Sequence, residues 1–176
     1  MTPGIQELMR EVERVRDGFR RTVLAGDPDA AVALCAEAVV LVDLPVGAGA
    51  TGRDDLRRHL ADVAAHLPAD LAFARLSRTV DRFRVVDEER VTFTHDQELR
   101  WLLPGVAPTG RRAEVLAVSV ATVRQGRLLG LLGLLGLLGL RTLWDLTTLL
   151  AGLGLPADAV RPAQVALGGE GPRGWW

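Results

Sequence analysis

Few side chains in this sequence combine the type and the setting that chemistry needs. His95 sits in "VTFTHDQELRW", where Val91, Phe93, His95, Gln97, Leu99 and Trp101 alternate with Thr92, Thr94, Asp96, Glu98 and Arg100. A period of two places the first set on one face of a strand. An imidazole on that apolar face can act as acid or base near neutral pH; the plain alternative is a core histidine bonded to a backbone carbonyl. Glu114 opens the next apolar run but alternates away from Val115, Ala117, Ser119 and Ala121, the small residues that would leave room for a cavity. Trp101 and Trp144 can wall a pocket that accepts aromatic groups, or can be ordinary core.

Other constellations are missing. His59 and His66 are seven apart with no third ligand at metal spacing, and Cys35 is the single cysteine, so no metal is expected and no internal disulfide can form. "GAGATG" lacks a phosphate-binding Lys-Ser/Thr and a surrounding Rossmann unit, so no cofactor is expected. Asp145 in "TLWD" reads as a helix N-cap.

The elements that must position these residues follow from period and punctuation. Ile5, Leu8, Met9, Val12, Val15, Phe19 and Val23 recur at helical spacing. Asp27-Pro28 restarts a short helix through "PDAAVALCAE". "AVVLVDLP" (38–45) reads as a strand closed by Pro45, "VGAGATG" as a loop, and "GRDDLRRHLADVAAHLP" as a third helix. Two strands follow around a "DEE" turn, then a long strand ending at "RQGR", a further strand at "RTLWD", and a short helix ended by Gly152 and Gly154. The layout is α+β, with helices on one side of a curved antiparallel sheet.

In that order, "FRRTVLAGDPDAAVALCAEAVVLVDLPVG", "ATGRDDLRRHL", "FTHDQELRWLLPGVAPTGRRAEVLAVSVATVRQGRL" and "RTLWDLTTLLAGLGLP" resemble the SnoaL-like (polyketide cyclase-like) branch of the nuclear transport factor 2-like superfamily. The resemblance implies a cone: a bent antiparallel sheet closed by three N-terminal helices, with an apolar pocket and often a homodimer through the outer sheet. It implies one domain over residues 1–156 and a Pro/Gly-rich tail, expected to be mobile, over 157–176. It does not fix function, since such folds serve enzymes and binding modules alike.

Against the ketosteroid isomerases of that superfamily, the base position falls on Leu44, with Asp43 one residue earlier and so on the opposite strand face unless a bulge intervenes. The tyrosine position falls on Phe19 in a chain with no tyrosine, and the second acid falls near Ala121. Against the SnoaL-like cyclases, Thr94-His95 matches a "TH" on the middle strand. The expected site is therefore His95 with Asp43 as its best acid partner, walled by Phe19, Leu44, Phe93, Trp101, Ser119 and Trp144.

The run "RLLGLLGLLGLLGLRTLWD" stands out. Family members continue about four residues from the turn to the "tlWD" strand, whereas here Gly-Leu-Leu triplets intervene, an excess of about nine residues near 130–138. The uncharged stretch 128–140 is too short to span a membrane, which takes about 20 residues. Extended, it would reach roughly 43 Å at about 3.3 Å per residue. Its leucines need a cover, so a homodimer or higher homo-oligomer using 128–140 is expected.

Bulk properties set the remaining bounds. The 176 residues carry a net charge of -1, all cations being arginine, and the acids and bases interleave, so neither nucleic acid nor a membrane is an expected partner. Arginine without lysine, with abundant Ala, Gly, Leu and Val, points to a GC-rich bacterial genome. The lone cysteine and the charged N-terminal segment fit the cytoplasm. The expected function is binding of a small apolar molecule in the cone, with acid/base cyclase, isomerase or hydrolase chemistry; the alternative is a non-catalytic ligand-binding or dimerisation module.

Overall fold

The computed structural model describes residues 4–125 and 135–161. Helix α1 (Ile5–Leu24) carries one buried stripe, Val12, Val15, Arg16 and Phe19. Helix α2 (Pro28–Ala33) starts at Asp27, whose side chain accepts from the Ala30 N–H at 2.9 Å, with proline in the first turn. Strand β1 (Cys35–Asp43), strand β2 (Ala48–Thr51) and helix α3 (Arg53–Ala65) follow. Strands β3 (Ala72–Val80), β4 (Arg84–Thr94), β5 (Arg112–Gln125) and β6 (Leu135–Trp144) complete the sheet, and α4 (Leu146–Gly152) starts at Asp145, which accepts from the Thr148 N–H at 3.0 Å.

The strands form one open, curved sheet in the order β2-β1-β6-β5-β4-β3. Every neighbouring pair is antiparallel except β1 and β6, which run parallel. Register shifts interrupt β1 against β6, β3 against β4, and β5 against β6; each bends its strand and adds to the curvature. Helix α1 lies across the concave face, touching β3, β4, β5 and β6. This is the expected α+β cone.

Four local expectations are corrected. Strand β1 begins at Cys35 rather than at Ala38, because α2 stops at Ala33. "VGAGATG" is not all loop: β2 pairs back on β1, with Gly49 opposite Val42. "DEE" is not a turn. Strand β4 runs straight through it, and the chain reverses earlier, where the Asp81 carboxylate accepts from the Phe83 and Arg84 N–H groups at 2.6 and 2.7 Å. Finally, β4 ends at Thr94, so the inferred strand face that runs to Trp101 is cut short. The Thr94 N–H is taken by Asp70 at 2.8 Å, and mutual backbone bonds among His95, Gly110 and Arg111 close the neck of a loop. Leu99, Leu102, Leu103 and Val106 of that loop are buried with Leu149, Leu150 and Leu153 around α4. Each fully buried leucine contributes roughly 1.5–3 kcal/mol, which holds the loop down as a plug.

Packing also continues past Pro156, since Val160 is buried in the same cluster. The later part of the Gly-Leu-Leu repeat enters β6, an interior strand in which Leu135 pairs with Gln125 and Leu137 with Cys35. Residues 126–134, on which much of the expected repeat interface falls, and residues 162–176 of the expected tail lie outside the described residues. No helix among the described residues is long and apolar enough to cross a membrane.

Candidate functional site

The concave face, α1 and α3 enclose a cavity of about 160 Å³. Most of its wall is aliphatic or aromatic: Phe19 from α1, Leu60 and Val63 from α3, Val115 and Ala117 from β5, and Trp144 from β6. Trp101 reaches it from the plug loop. A cavity of about 150 Å³ lined by apolar side chains holds a molecule the size of benzene.

Two carboxyl groups line the cavity: Glu89, paired with Arg20, and Asp43. Inward positions on β1 run Val39, Leu41, Asp43, all buried, so the aspartate is in phase with the core rather than against it. Leu44 falls outside the cavity lining because the strand has ended: its N–H donates to the Thr142 carbonyl at 2.9 Å, and the Gly47 N–H closes a turn on the Asp43 carbonyl at 2.8 Å. Burial pushes the Asp43 carboxyl up to about 7, against the opposing pull of a hydrogen bond with the Thr142 side chain. The group is thus poised to take or give a proton near neutral pH.

A second polar region lies under α1. Arg16, buried, donates from Nη2 to Ser119 Oγ at 3.0 Å, and its Nε has no hydrogen-bond partner. Burial, with Arg20 close by, lowers the Arg16 guanidinium to about 10. Arg20 forks onto Glu89 and lies over the Phe73 ring at 4.5 Å. Arg78 forks onto Asp87 and Asp17, with bonds of 2.6–3.1 Å, and those carboxylates hold it well above the usual arginine value. Asp87 and Glu89 point inward because they share the face of Val85, Val91 and Phe93.

Of the residues expected at the site, Asp43, Phe19, Trp101, Ser119 and Trp144 line the cavity together. Leu44, Phe93 and His95 do not. Phe93 is buried core. His95 sits in the loop neck with no exposed surface, its Nδ1 3.2 Å from Thr109 Oγ1 and its Nε2 without a partner; burial lowers its pKa. The plain alternative, a packed core histidine, fits this placement, with a threonine hydroxyl in place of a carbonyl. Sequence reasoning missed Arg16, Arg20, Glu89, Thr142 and the cavity-lining His59. The signal for Arg16 was present: it stands four residues after Val12 and three before Phe19, on the apolar stripe. Among the described residues no three His, Cys, Asp or Glu side chains converge as a metal site.

A sequence model of the SnoaL-like domain matches residues 12–130. The chain belongs to the SnoaL-like domain family. No curated protein matches it. Solved structures similar to this SnoaL-like domain include TsrD from Streptomyces laurentii, 17% identical over 84% of this chain and 97% of that one, with a TM-score of 0.61. Another is a protein of ketosteroid isomerase-like fold from Catenulispora acidiphila DSM 44928, in complex with trimethylamine, 18% identical over 82% and 95% at a TM-score of 0.60. A candidate polyketide cyclase from Xanthomonas campestris pv. campestris is 19% identical over 83% and 98% at 0.57. At these identities the likeness establishes the fold; the chemistry has to be argued from the cavity.

Proposed function

We propose that this SnoaL-like domain binds a small, mainly apolar organic molecule in its cone and moves a proton on it, with Asp43 as the acid–base group. The observation that carries the reading is a buried carboxyl group with a pKa near 7 in a wall that is otherwise largely hydrocarbon. As a carboxylate, Asp43 takes a proton from an acidic carbon of the ligand and returns it at a neighbouring position. The net result is isomerisation, with no proton gained or lost. The relatives described as ketosteroid isomerase-like and as a candidate polyketide cyclase support a substrate of this kind. In this reading His95 keeps a structural role in the loop neck.

The test is hydrogen–deuterium exchange at the α-carbon of 2-indanone in D₂O, followed by NMR. The wild-type chain accelerates exchange and Asp43→Asn does not. Equal rates for the two proteins would remove Asp43 from the chemistry. Binding without exchange in the wild type would favour the second reading, a non-catalytic binding module. Phe19 and Ala121 support that second reading, being apolar where the resemblance places a tyrosine and a second acid.

The same reading includes a second copy of the chain as partner. Val118 and Leu143 are register partners on the convex face, and with Leu116 they expose three large apolar side chains there.

A further inference from the structure

The loop from β4 to β5 closes on itself at its neck. The His95 N–H donates to the Arg111 carbonyl and the Gly110 N–H to the His95 carbonyl, both at 2.9 Å. Beyond the neck the loop sends Trp101 and Leu102 into the cavity wall and buries Leu99, Leu103 and Val106 in the cluster around α4. We infer that this loop is a proton-sensitive lid on the cavity, latched at its neck by neutral His95 and lifted more often when the imidazole is protonated. The inference concerns access to the cavity. It holds whatever the ligand is, and whether or not Asp43 does chemistry.

The direction of the hydrogen bonds at the neck is the first argument. The Thr109 N–H donates to His95 Nδ1 at 3.4 Å, and Thr109 Oγ1 stands 3.2 Å from the same nitrogen. That hydroxyl oxygen already accepts from the Arg111 N–H at 3.3 Å, which leaves its own proton to point at Nδ1. On that pattern Nδ1 is the acceptor of the ring and Nε2 carries the proton. A second proton has to sit on Nδ1, where it faces the Thr109 N–H and forces the hydroxyl to turn. The Nε2 side offers no relief, because that atom is buried without a partner.

Burial and the surrounding charges act in the same sense. The ring has no exposed surface, and burial lowers its pKa. Asp96, next in the loop, favours the protonated ring, but less strongly than burial opposes it. Asp70, from the turn before β3, is held by the Thr94 N–H and hydroxyl and feels Arg112. The Arg111 guanidinium reaches away from the ring and lies against Gly154, past the end of α4. Protons therefore bind the open neck better than the closed one. Closure is at full strength above the ordinary histidine value of 6.5 and weakens as pH falls below it. Leu99, Leu102, Leu103 and Val106 keep the loop down at rest, so protonation changes how often it lifts rather than where it sits.

The test is hydrogen–deuterium exchange of the full chain, read by peptide mass spectrometry and corrected for the intrinsic pH dependence of amide exchange. The Leu102, Leu103 and Val106 N–H groups are bonded within the loop. Their protection should fall about 10-fold between about pH 7.5 and about pH 5.5, the ratio for an imidazole that titrates at its ordinary value with the loop up and stays neutral with it down. Amides of β4 and β5 should hold, since the Asp43 carboxyl stabilises the folded chain towards acid. Hydroxyl-radical labelling over the same range should mark Trp101 and Trp144 more heavily at the lower pH, as the lid uncovers the cavity wall. His95→Gln, which cannot take the proton, should hold both readouts level. If that variant does not fold, NMR titration of the wild-type imidazole decides, and His95 should titrate below 6.5. Loop protection that ignores pH would overturn the inference. So would a fall shared by His95→Gln, a fall with no added labelling of Trp144, or a His95 ring that titrates at or above the ordinary value.

Discussion

Asp43 and Thr142 are register partners on the parallel strand pair β1–β6, and hydrogen bonding from the Thr142 side chain opposes the effect of burial on the Asp43 carboxyl. The bond favours the ionised carboxyl and burial favours the neutral one; burial wins. This balance gives Asp43 a visible signature in both rate and stability.

The rate of proton exchange on 2-indanone should rise with pH through about 7, as the Asp43 carboxyl loses its proton. Asp43→Asn should lower the rate by about 100-fold or more and flatten the profile. Its affinity for indane should stay within a few-fold of the wild type.

Stability should move the opposite way. The unfolded chain releases the Asp43 proton near the ordinary value of 3.8, whereas the folded chain keeps it to about 7. The folded state therefore binds more protons in that window, and the contribution of this group falls as pH rises through it. The shift corresponds to something on the order of 4 kcal/mol by the usual conversion. Asp43→Asn should raise Tm relative to the wild type at pH 8 and make little difference at pH 4. Thermal unfolding at the two pH values checks it.

His95→Ala should leave exchange within about twofold of the wild type and lower Tm. The imidazole is buried in the loop neck beside Thr109 and outside the cavity lining. A loss of exchange comparable to that of Asp43→Asn would return His95 to the chemistry.

Gly49→Ala should destabilise the β1–β2 pair. A Cβ there would stand 2.1 Å from the Leu41 carbonyl oxygen, and backbone on both sides leaves little room to give. A cost of about 1–3 kcal/mol is expected, read as a lower urea midpoint with an unchanged m-value.

Removal of residues 130–138 should give a folded chain. In the observed register Val123 pairs with Leu137 and Arg124 with Gly136. With nine residues gone, Leu128 and Arg127 would take those places and Gln125-Gly126 would form a two-residue turn, a favoured hairpin connection. Circular dichroism and a Tm close to that of the full chain would confirm it; an unfolded variant would contradict it.

Sedimentation at micromolar concentration should show a dimer of the full chain. Val118→Asp combined with Leu143→Asp should dissociate it without loss of indane binding, since both side chains lie on the convex face.

Much of the cone was legible because its signals are local. The stripe of α1, the caps at Asp27 and Asp145, and the inward set Val115, Ala117, Ser119 and Ala121 depend on near neighbours in sequence. The polar interior was hidden because it depends on phase. A turn at Asp87 and Glu89 hides their place on the inward face of β4, although they alternate cleanly with Val85 and Val91. Asp43 was set one residue out of phase for a similar reason: Leu44 was aligned to the base position, yet the strand ends before it. His95 failed the other way. Its alternation with Phe93 is real, but the strand stops at Thr94, where Asp70 takes the backbone N–H. The orphaned Nε of Arg16 is a tertiary fact with no sequence signature beyond the helix stripe.

The junction of the repeat with β6 bears on how much of the repeat the strand needs. Counting back from Arg141, the residues before it read the same whether the chain carries one triplet more or one fewer. The far end of the strand is held by unrepeated residues, with Arg141 opposite Val120 and Trp144 opposite Ala117. A gain or loss of one Gly-Leu-Leu unit therefore leaves the paired sequence nearest Arg141 as it was. Thr142, and the aspartate it pairs with, keep their places whatever the triplet number.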